Sequence, residues 1–170
     1  MVRDGTLGKV AFVRSWIHSN QPRAGIGNPP DSAPPTGLDW NLWQGPAPSH
    51  PFNPNRFGVY PNAYSYFRYF WDYAGGQLTD SGVHMIDIVQ MAFGDPMPRA
   101  VVALGGKYWF EDDTETPDTL QVTYEYPGFI GSWDHKSNNT EAQPGRTLLD
   151  GPVDIAQVAE ADAVARPVDI

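Results

Sequence analysis

The pattern of apolar and polar positions predicts strands in four stretches of the chain, each rich in β-branched and aromatic residues. These stretches are residues 8–19, 99–110, 118–128 and 129–139. Pro127 and Gly128 lie between the last two stretches, so we expect a tight turn and an antiparallel hairpin there.

A helical pattern begins near Thr79 or Asp80 and stops before Gly94, which supplies a common C-terminal signal. Asp80, His84 and Asp87 recur at i, i+4 and i+7, which places them within roughly 60° on a wheel of about 100° per residue. Most other positions of this helix are apolar. We therefore expect a buried helix with one polar stripe.

A proline- and tryptophan-rich arm separates the first strand from the helix. Its first part, PRAGIGNPPDSAPPTG, has no helical or strand period, and its prolines fix φ and remove backbone donors. Trp40 and Trp43 follow, and their large apolar faces favour an arm that packs onto the domain. The predicted fold class is α+β, with one mainly antiparallel open sheet, a buried helix and this arm.

Composition narrows the function classes. The 170 residues carry a formal net charge of −9, which argues against nucleic acid as a partner because that binding depends on clustered Lys and Arg. The chain has no cysteine, so neither disulfides nor thiolate sites are available. No long apolar run predicts a membrane span. We expect a soluble protein, cytoplasmic by default, and the export of a full-length parent stays open.

The character of the chain changes at Thr140. Residues 150–170 contain no aromatic residue and many alanines and acidic residues. Such a segment has few large apolar side chains to offset the entropy lost on ordering. We therefore divide the chain into an incomplete domain, residues 1–139, and a divergent tail, residues 140–170, that is less ordered than the domain.

The Asp80, His84 and Asp87 stripe has three interpretations. On a buried helix it is an internal hydrogen-bond network, since buried polar groups need partners. Facing a cavity, it is a proton-transfer site, because a carboxylate one turn from an imidazole orients the ring for general acid or base chemistry. A metal site is the third, but no second group of His or acidic residues has ligand spacing, so none is predicted.

Three other motifs are weaker. GIGNPP starts like a dinucleotide fingerprint, but Pro29 and Pro30 stand where a helix must open. The WDHK segment, residues 133–136, lies on a predicted strand whose neighbours point to opposite faces, so we expect it at the surface and not in a catalytic triad. EDDTETPD, residues 111–118, has the oxygens for a cation, although an acidic hairpin tip is usually solvated.

Longer segments resemble a known family. GLDWNLWQGPAP, FNPNRF, FRYFWDYAGGQLTDSGVHMIDIVQMAFG and GGKYWFEDDTETPDTLQVTYEYPG together resemble the C-terminal domain of the glucose-fructose oxidoreductase and inositol dehydrogenase (Gfo/Idh/MocA) family, over about residues 8–139. Members join an N-terminal Rossmann domain, which binds NAD or NADP, to a C-terminal domain. That second domain has a large open sheet, shapes the sugar or polyol site and often packs in oligomers.

The resemblance implies roles for individual residues. Asp80 and His84 match the catalytic Asp and His of the family, in which the His moves the hydroxyl proton while hydride passes to the nicotinamide. Asp87 matches a position that can hold substrate hydroxyls. The further substrate-binding candidates are Arg68, Asp72, Trp40 and Trp43. Those two tryptophans and Trp71 either stack on sugar rings or pack between the arm and the domain.

The resemblance also has gaps. The cofactor domain of the family would precede Gly8, and no residue here matches the Lys of its Glu-Lys-Pro motif. We expect the substrate-domain portion of an NAD(P)-dependent sugar or polyol oxidoreductase, a fragment that is inactive alone and binds no NAD(P). Its expected partners are a Rossmann domain and further copies joined through the sheet. The alternative is a non-catalytic carbohydrate-binding or subunit-assembly module.

Overall fold

The computed structural model of the chain describes residues 2–60, 63–64, 66–94 and 96–137. The predicted tail, residues 140–170, lies outside the described residues. In chain order the elements are β1 (Phe12–His18), α1 (Trp40–Gln44), α2 (Pro54–Phe57), β2 (Val59–Tyr60), β3 (Ala63–Tyr64), a 3₁₀ helix (Tyr66–Tyr69), a π-helical turn (Leu78–Gly82), α3 (Val83–Phe93), β4 (Ala100–Gly106), β5 (Thr119–Tyr126) and β6 (Phe129–Lys136).

The main sheet has four described strands in the order β1-β6-β5-β4. β4 pairs antiparallel with β5, and β5 pairs antiparallel with β6. β1 runs parallel to β6, with Ile17 opposite His135. The α+β class with a mainly antiparallel open sheet is confirmed.

The predicted hairpin joins β5 to β6. Tyr126 pairs with Phe129 across the turn. Gly128 has a φ of 98°, a conformation that glycine adopts without the steric penalty of a Cβ.

The helix that carries the predicted stripe begins earlier than expected. Gly76 and Gln77 are already helical, and a π-helical turn precedes α3. The predicted end is confirmed, since Gly94 adopts a left-handed conformation with φ 82° and donates its N–H to the carbonyl of Gln90.

Only one side of α3 is buried. Val89 packs in a core with Val13, Tyr126 and Phe129. On the other side, Val83 is 49% exposed and Met91 is 57% exposed. The expected burial of the helix therefore applies to one side only, because the sheet covers that side alone within the described part of the chain.

The arm packs onto the domain, as its tryptophans predict. Trp43 meets the rings of Tyr73 and Phe67 edge-on, with 5.1 and 6.2 Å between ring centroids, and Trp40 stacks on Trp43 at 4.8 Å. The Trp40 indole N–H donates to the carbonyl of His50 at 2.8 Å. Trp40 is 7% exposed, so nearly all of its surface is covered by this packing.

The half-buried ammonium group of Lys107 bridges parts of the acidic loop. Lys107 Nζ donates to the carbonyl of Thr114 at 2.8 Å and lies 3.2 Å from Oδ1 of Asp112. Asp118 accepts hydrogen bonds from three successive backbone N–H groups, those of residues 108–110. Burial raises the pKa of Asp118, but these N–H groups outweigh it and hold that pKa below its usual value. The expectation of a solvated tip is wrong for Asp112 and Asp118, which are buried and bonded inside the domain, whereas Glu111 and Glu115 are exposed.

Candidate functional site

An open cleft of about 450 Å³ lies beside the first turns of the helix. The helix, the end of β1 with the segment that follows it, and β6 form its walls. Its lining residues are Ile17, Ser19, Gln21, Gln77, Ser81, His84, Met85 and His135. Of the predicted stripe, His84 alone lines this cleft, and its side chain is exposed.

Asp80 forms an ion pair with Arg68. Its second contact is the hydroxyl of Ser81, which lies 3.4 Å from the Asp80 carboxylate and 3.0 Å from Oε1 of Gln77. No hydrogen bond joins Asp80 to His84 in the described chain. A π-helical turn holds more residues than an α-helical one, so the two side chains do not align as they would on an α-helical wheel.

The short 3₁₀ helix holds this turn from one side. Arg68 contacts Asp80, and the next residue, Tyr69, accepts a hydrogen bond on its hydroxyl from Nε2 of Gln77 at 3.1 Å. Burial raises the pKa of Tyr69, which keeps the hydroxyl protonated. Two neighbouring side chains therefore fix the orientation of the helix start.

Two glycines let the helix start approach its neighbours closely. A Cβ on Gly76 would lie 2.6 Å from the Cβ of Thr116, and Gly76 has a φ of 69°. A Cβ on Gly82 would lie 3.1 Å from the ring of Trp133. The GGQLTDSG sequence thus brings the π-helical turn against β6 and the acidic loop.

His135 is a residue of the cleft that the sequence did not indicate. It is 3% exposed, and Trp133, on the same face of β6, is 0% exposed. Burial lowers the pKa of His135 to about 4, although the nearby backbone carbonyl of Ile17, which lies outside hydrogen-bond geometry, acts in the opposite direction. Its Nε2 lies 3.1 Å from the hydroxyl of Ser137. The expectation that residues 133–136 lie at the surface is wrong, because the helix covers one face of this strand.

Asp134 points to the other face of the sheet and is also buried. Arg14 donates two hydrogen bonds to its carboxylate, at 3.1 and 3.0 Å, and His18 lies at 2.8 Å. Burial raises the pKa of Asp134, but the bonds from Arg14 and His18 outweigh it and lower that pKa. This cluster ties β1 to β6 on the open face, away from the cleft.

The remaining predicted residues lie outside the lining of the cleft. Asp72 pairs with Arg56 at 2.7 Å and with His50 at 2.8 Å, and the bond from Arg56 is the main reason that its pKa lies below the usual value. Asp87 is exposed on the helix. Trp43 packs among the aromatic rings of Trp40, Phe57, Phe67 and Tyr73.

The described residues do not form a cradle for a dinucleotide. GIGNPP is followed by chain without helix until Trp40, so no helix N-terminus is available for a phosphate. Within the described ranges, no group of three or more His, Asp or Glu side chains is arranged to hold a metal ion. None of the described helices has the length and apolar character needed to cross a membrane.

Comparison with known proteins identifies the family. The model of an oxidoreductase family's C-terminal alpha/beta domain, in the Gfo/Idh/MocA group, matches residues 20–140. The chain belongs to the Gfo/Idh/MocA oxidoreductase family. The resemblance seen in the sequence is thereby confirmed.

Individual relatives match only in part. The trans-1,2-dihydrobenzene-1,2-diol dehydrogenase of Oryctolagus cuniculus is 33% identical over 95 residues, which is 53% of this chain and 26% of that protein. The enzyme of the same name from Sus scrofa is 34% identical over 60 residues, which is 35% of this chain and 17% of that protein. The chain thus covers about a quarter or less of the length of these relatives.

Solved structures whose backbones align with this chain include a dehydrogenase and a putative oxidoreductase. The WlbA dehydrogenase of Bordetella pertussis, in complex with NADH and UDP-GlcNAcA, has a TM-score of 0.47 at 13% identity, over 82% of this chain and 31% of that chain. The putative oxidoreductase yvaA of Bacillus subtilis has a TM-score of 0.45 at 19% identity, over 82% of this chain and 27% of that chain.

Proposed function

We propose that this chain supplies the substrate-binding part of an NAD(P)-dependent oxidoreductase that acts on a sugar, a polyol or a related diol. The observation that carries the proposal is the match of residues 20–140 to the family model. Within this range, His84 of the LTDSGVHMID segment lies at an open cleft. The diol dehydrogenases that the chain resembles are named for a substrate with two hydroxyl groups.

The proposed chemistry of this chain is proton transfer. Oxidation of an alcohol releases the hydroxyl proton, and an exposed imidazole beside the substrate can accept it. His84 takes this role. Asp80, held by Arg68, contributes negative charge and holds the Ser81 hydroxyl, which lines the same cleft.

The nicotinamide cofactor requires a site that the described residues do not build. We assign the binding of NAD or NADP to a separate Rossmann domain that would act as partner, and we assign no hydride step to residues of this chain. The chain alone is therefore proposed to be inactive as a dehydrogenase.

The open face of the sheet is the proposed surface for homo-oligomers. The pairing register places Phe12, Val102 and Leu104 on the face away from α3. Their exposed fractions are 51%, 60% and 74%. Such a face and its strand edges favour association with further copies.

A second candidate function is non-catalytic carbohydrate binding through the arm. Trp71 favours it, because its side chain is 59% exposed while its indole N–H is fixed by the carbonyl of Glu115 at 3.1 Å. A fixed, exposed indole ring is a suitable surface for stacking on a sugar.

NMR titration of the purified chain with myo-inositol and with trans-1,2-cyclohexanediol separates the two functions. Saturable shifts of the His84 ring, which His84→Gln abolishes and Met91→Gln leaves unchanged, are expected for the oxidoreductase site. Shifts of the Trp71 indole alone, lost in Trp71→Ala, would favour the carbohydrate-binding module. An unchanged spectrum with both ligands would contradict both functions.

A further inference from the structure

A small cavity adjoins the cleft. Its volume is about 10 Å³, close to the space that one water molecule needs. Gln21, Gln77 and His135 line both this cavity and the cleft, so they form the wall between the two. Thr116 and Asp118 lie on the inner side.

Several buried polar atoms around this wall have no hydrogen-bond partner within the described residues. They are Nδ1 of His135, Oγ1 of Thr116 and Oγ of Ser19. A buried polar atom without a partner costs free energy, and in a folded protein an ordered water or a bound polar group satisfies such atoms. A hydroxyl group suits this position because it both donates and accepts.

Gln21 is the movable part of the wall. Its side chain is exposed and makes no hydrogen bond within the described part of the chain. Its backbone is fixed, since its N–H donates to the carbonyl of Ser137 at 2.9 Å. Gln77, by contrast, is bound to Tyr69 and Ser81. A change in the Gln21 rotamer thus connects the cleft to the cavity without breaking any of these bonds.

The surroundings favour an uncharged ligand. The cleft lining contains no lysine or arginine. Burial lowers the pKa of His135 to about 4, so its imidazole is neutral at pH 7 and offers no charge to a carboxylate or phosphate.

We infer that Gln21, Thr116 and His135 form a second hydroxyl-binding subsite beside the cleft. It selects neutral ligands that carry two nearby hydroxyl groups, one at His84 and one at this subsite. The inference rests on the proposed function, which places the reacting hydroxyl at His84. These three residues then determine specificity and take no part in proton transfer.

The test compares three probes by NMR titration of the full chain: trans-1,2-cyclohexanediol, cyclohexanol and 2-hydroxycyclohexanecarboxylate. The diol is expected to bind about fivefold more tightly than cyclohexanol, which is the effect of about one net hydrogen bond. The carboxylate is expected to bind more weakly than the diol. Shifts of both His84 and His135 report the two ends of the ligand.

Thr116→Val keeps the shape of the side chain and removes a hydroxyl that has no hydrogen-bond partner among the described residues. It should abolish the preference for the diol and leave cyclohexanol binding unchanged. The matched control Thr123→Val, on the opposite face of the sheet, should keep the preference. Gln21→Leu provides a second test at an exposed position, where folding is not at risk, and should also reduce the preference.

Two outcomes separate a failed subsite from a failed site. Equal affinity of the diol and cyclohexanol in the unmodified chain, with His84 shifting for both, would overturn the subsite and leave the proposed function standing. No shift of His84 with either probe would overturn both. Retention of the full diol preference in both Thr116→Val and Gln21→Leu would also overturn the subsite.

Discussion

The close approach of Gly76 to Thr116 positions the start of the helix, and Gly76→Ala tests it. A residue other than glycine at φ 69° pays about 1–2 kcal/mol for the left-handed conformation. The new Cβ would lie 2.6 Å from the Thr116 side chain, well inside normal carbon contact of about 3.5–4.0 Å. Overpacking of this kind costs about 1–3 kcal/mol. The expected loss in the free energy of unfolding is therefore about 2–5 kcal/mol.

Gly94→Ala is the matched control. Gly94 has a similar φ of 82°, but a Cβ there meets no atom within 4 Å. Gly94→Ala should lower the free energy of unfolding only by the cost of the left-handed conformation, about 1–2 kcal/mol. Urea denaturation followed by tryptophan fluorescence measures both losses. Equal losses for the two variants would refute the argument, because the contact with Thr116 would then contribute nothing.

Two further predictions concern buried charge. Lys107→Met should lower the free energy of unfolding by about 2 kcal/mol, because it leaves the buried Asp112 carboxylate without its ammonium partner. The control Lys9→Met, at an exposed position, should change the free energy of unfolding little. His135 binds a proton with a pKa of about 4 in the folded chain, below the ordinary 6.5, so acid favours the unfolded chain. The contribution of His135 to the free energy of unfolding should be fully present above pH 6.5 and should fall by about 3 kcal/mol as the pH drops to 4. In urea denaturation at a series of pH values, His135→Gln should make this fall smaller. An identical pH dependence in both proteins would count against the burial of this imidazole.

Features that depend on neighbouring residues were predictable from the sequence. The turn at Pro127 and Gly128 and the helix end at Gly94 follow from local backbone preferences, and both are confirmed. The packing of the Trp40 region followed from the size of its apolar rings.

Features that depend on distant contacts were not predictable. The parallel pairing of β1 with β6 joins the two ends of the described chain, and no local pattern specifies it. The π-helical turn arises where glycines meet Thr116 and Trp133, and it redirects Asp80 toward Arg68. His135 became a cleft residue only because the helix covers its face of the strand.

The roles of Asp80 and His84 stay a prediction. The structure gives them different surroundings, with one in an ion pair and the other at the open cleft. A fixed α-helical wheel cannot represent this difference, because the residues between them belong partly to the π-helical turn.

We propose that this chain carries the substrate part of an oxidoreductase site and that a separate domain supplies the dinucleotide part. The most direct measurement is an NMR titration of the purified chain, first with trans-1,2-cyclohexanediol and then with NADH. We expect a saturable shift of the His84 ring with the diol and no saturable shift with NADH. Saturable binding of NADH, or a diol titration that leaves His84 unchanged, would contradict this proposal.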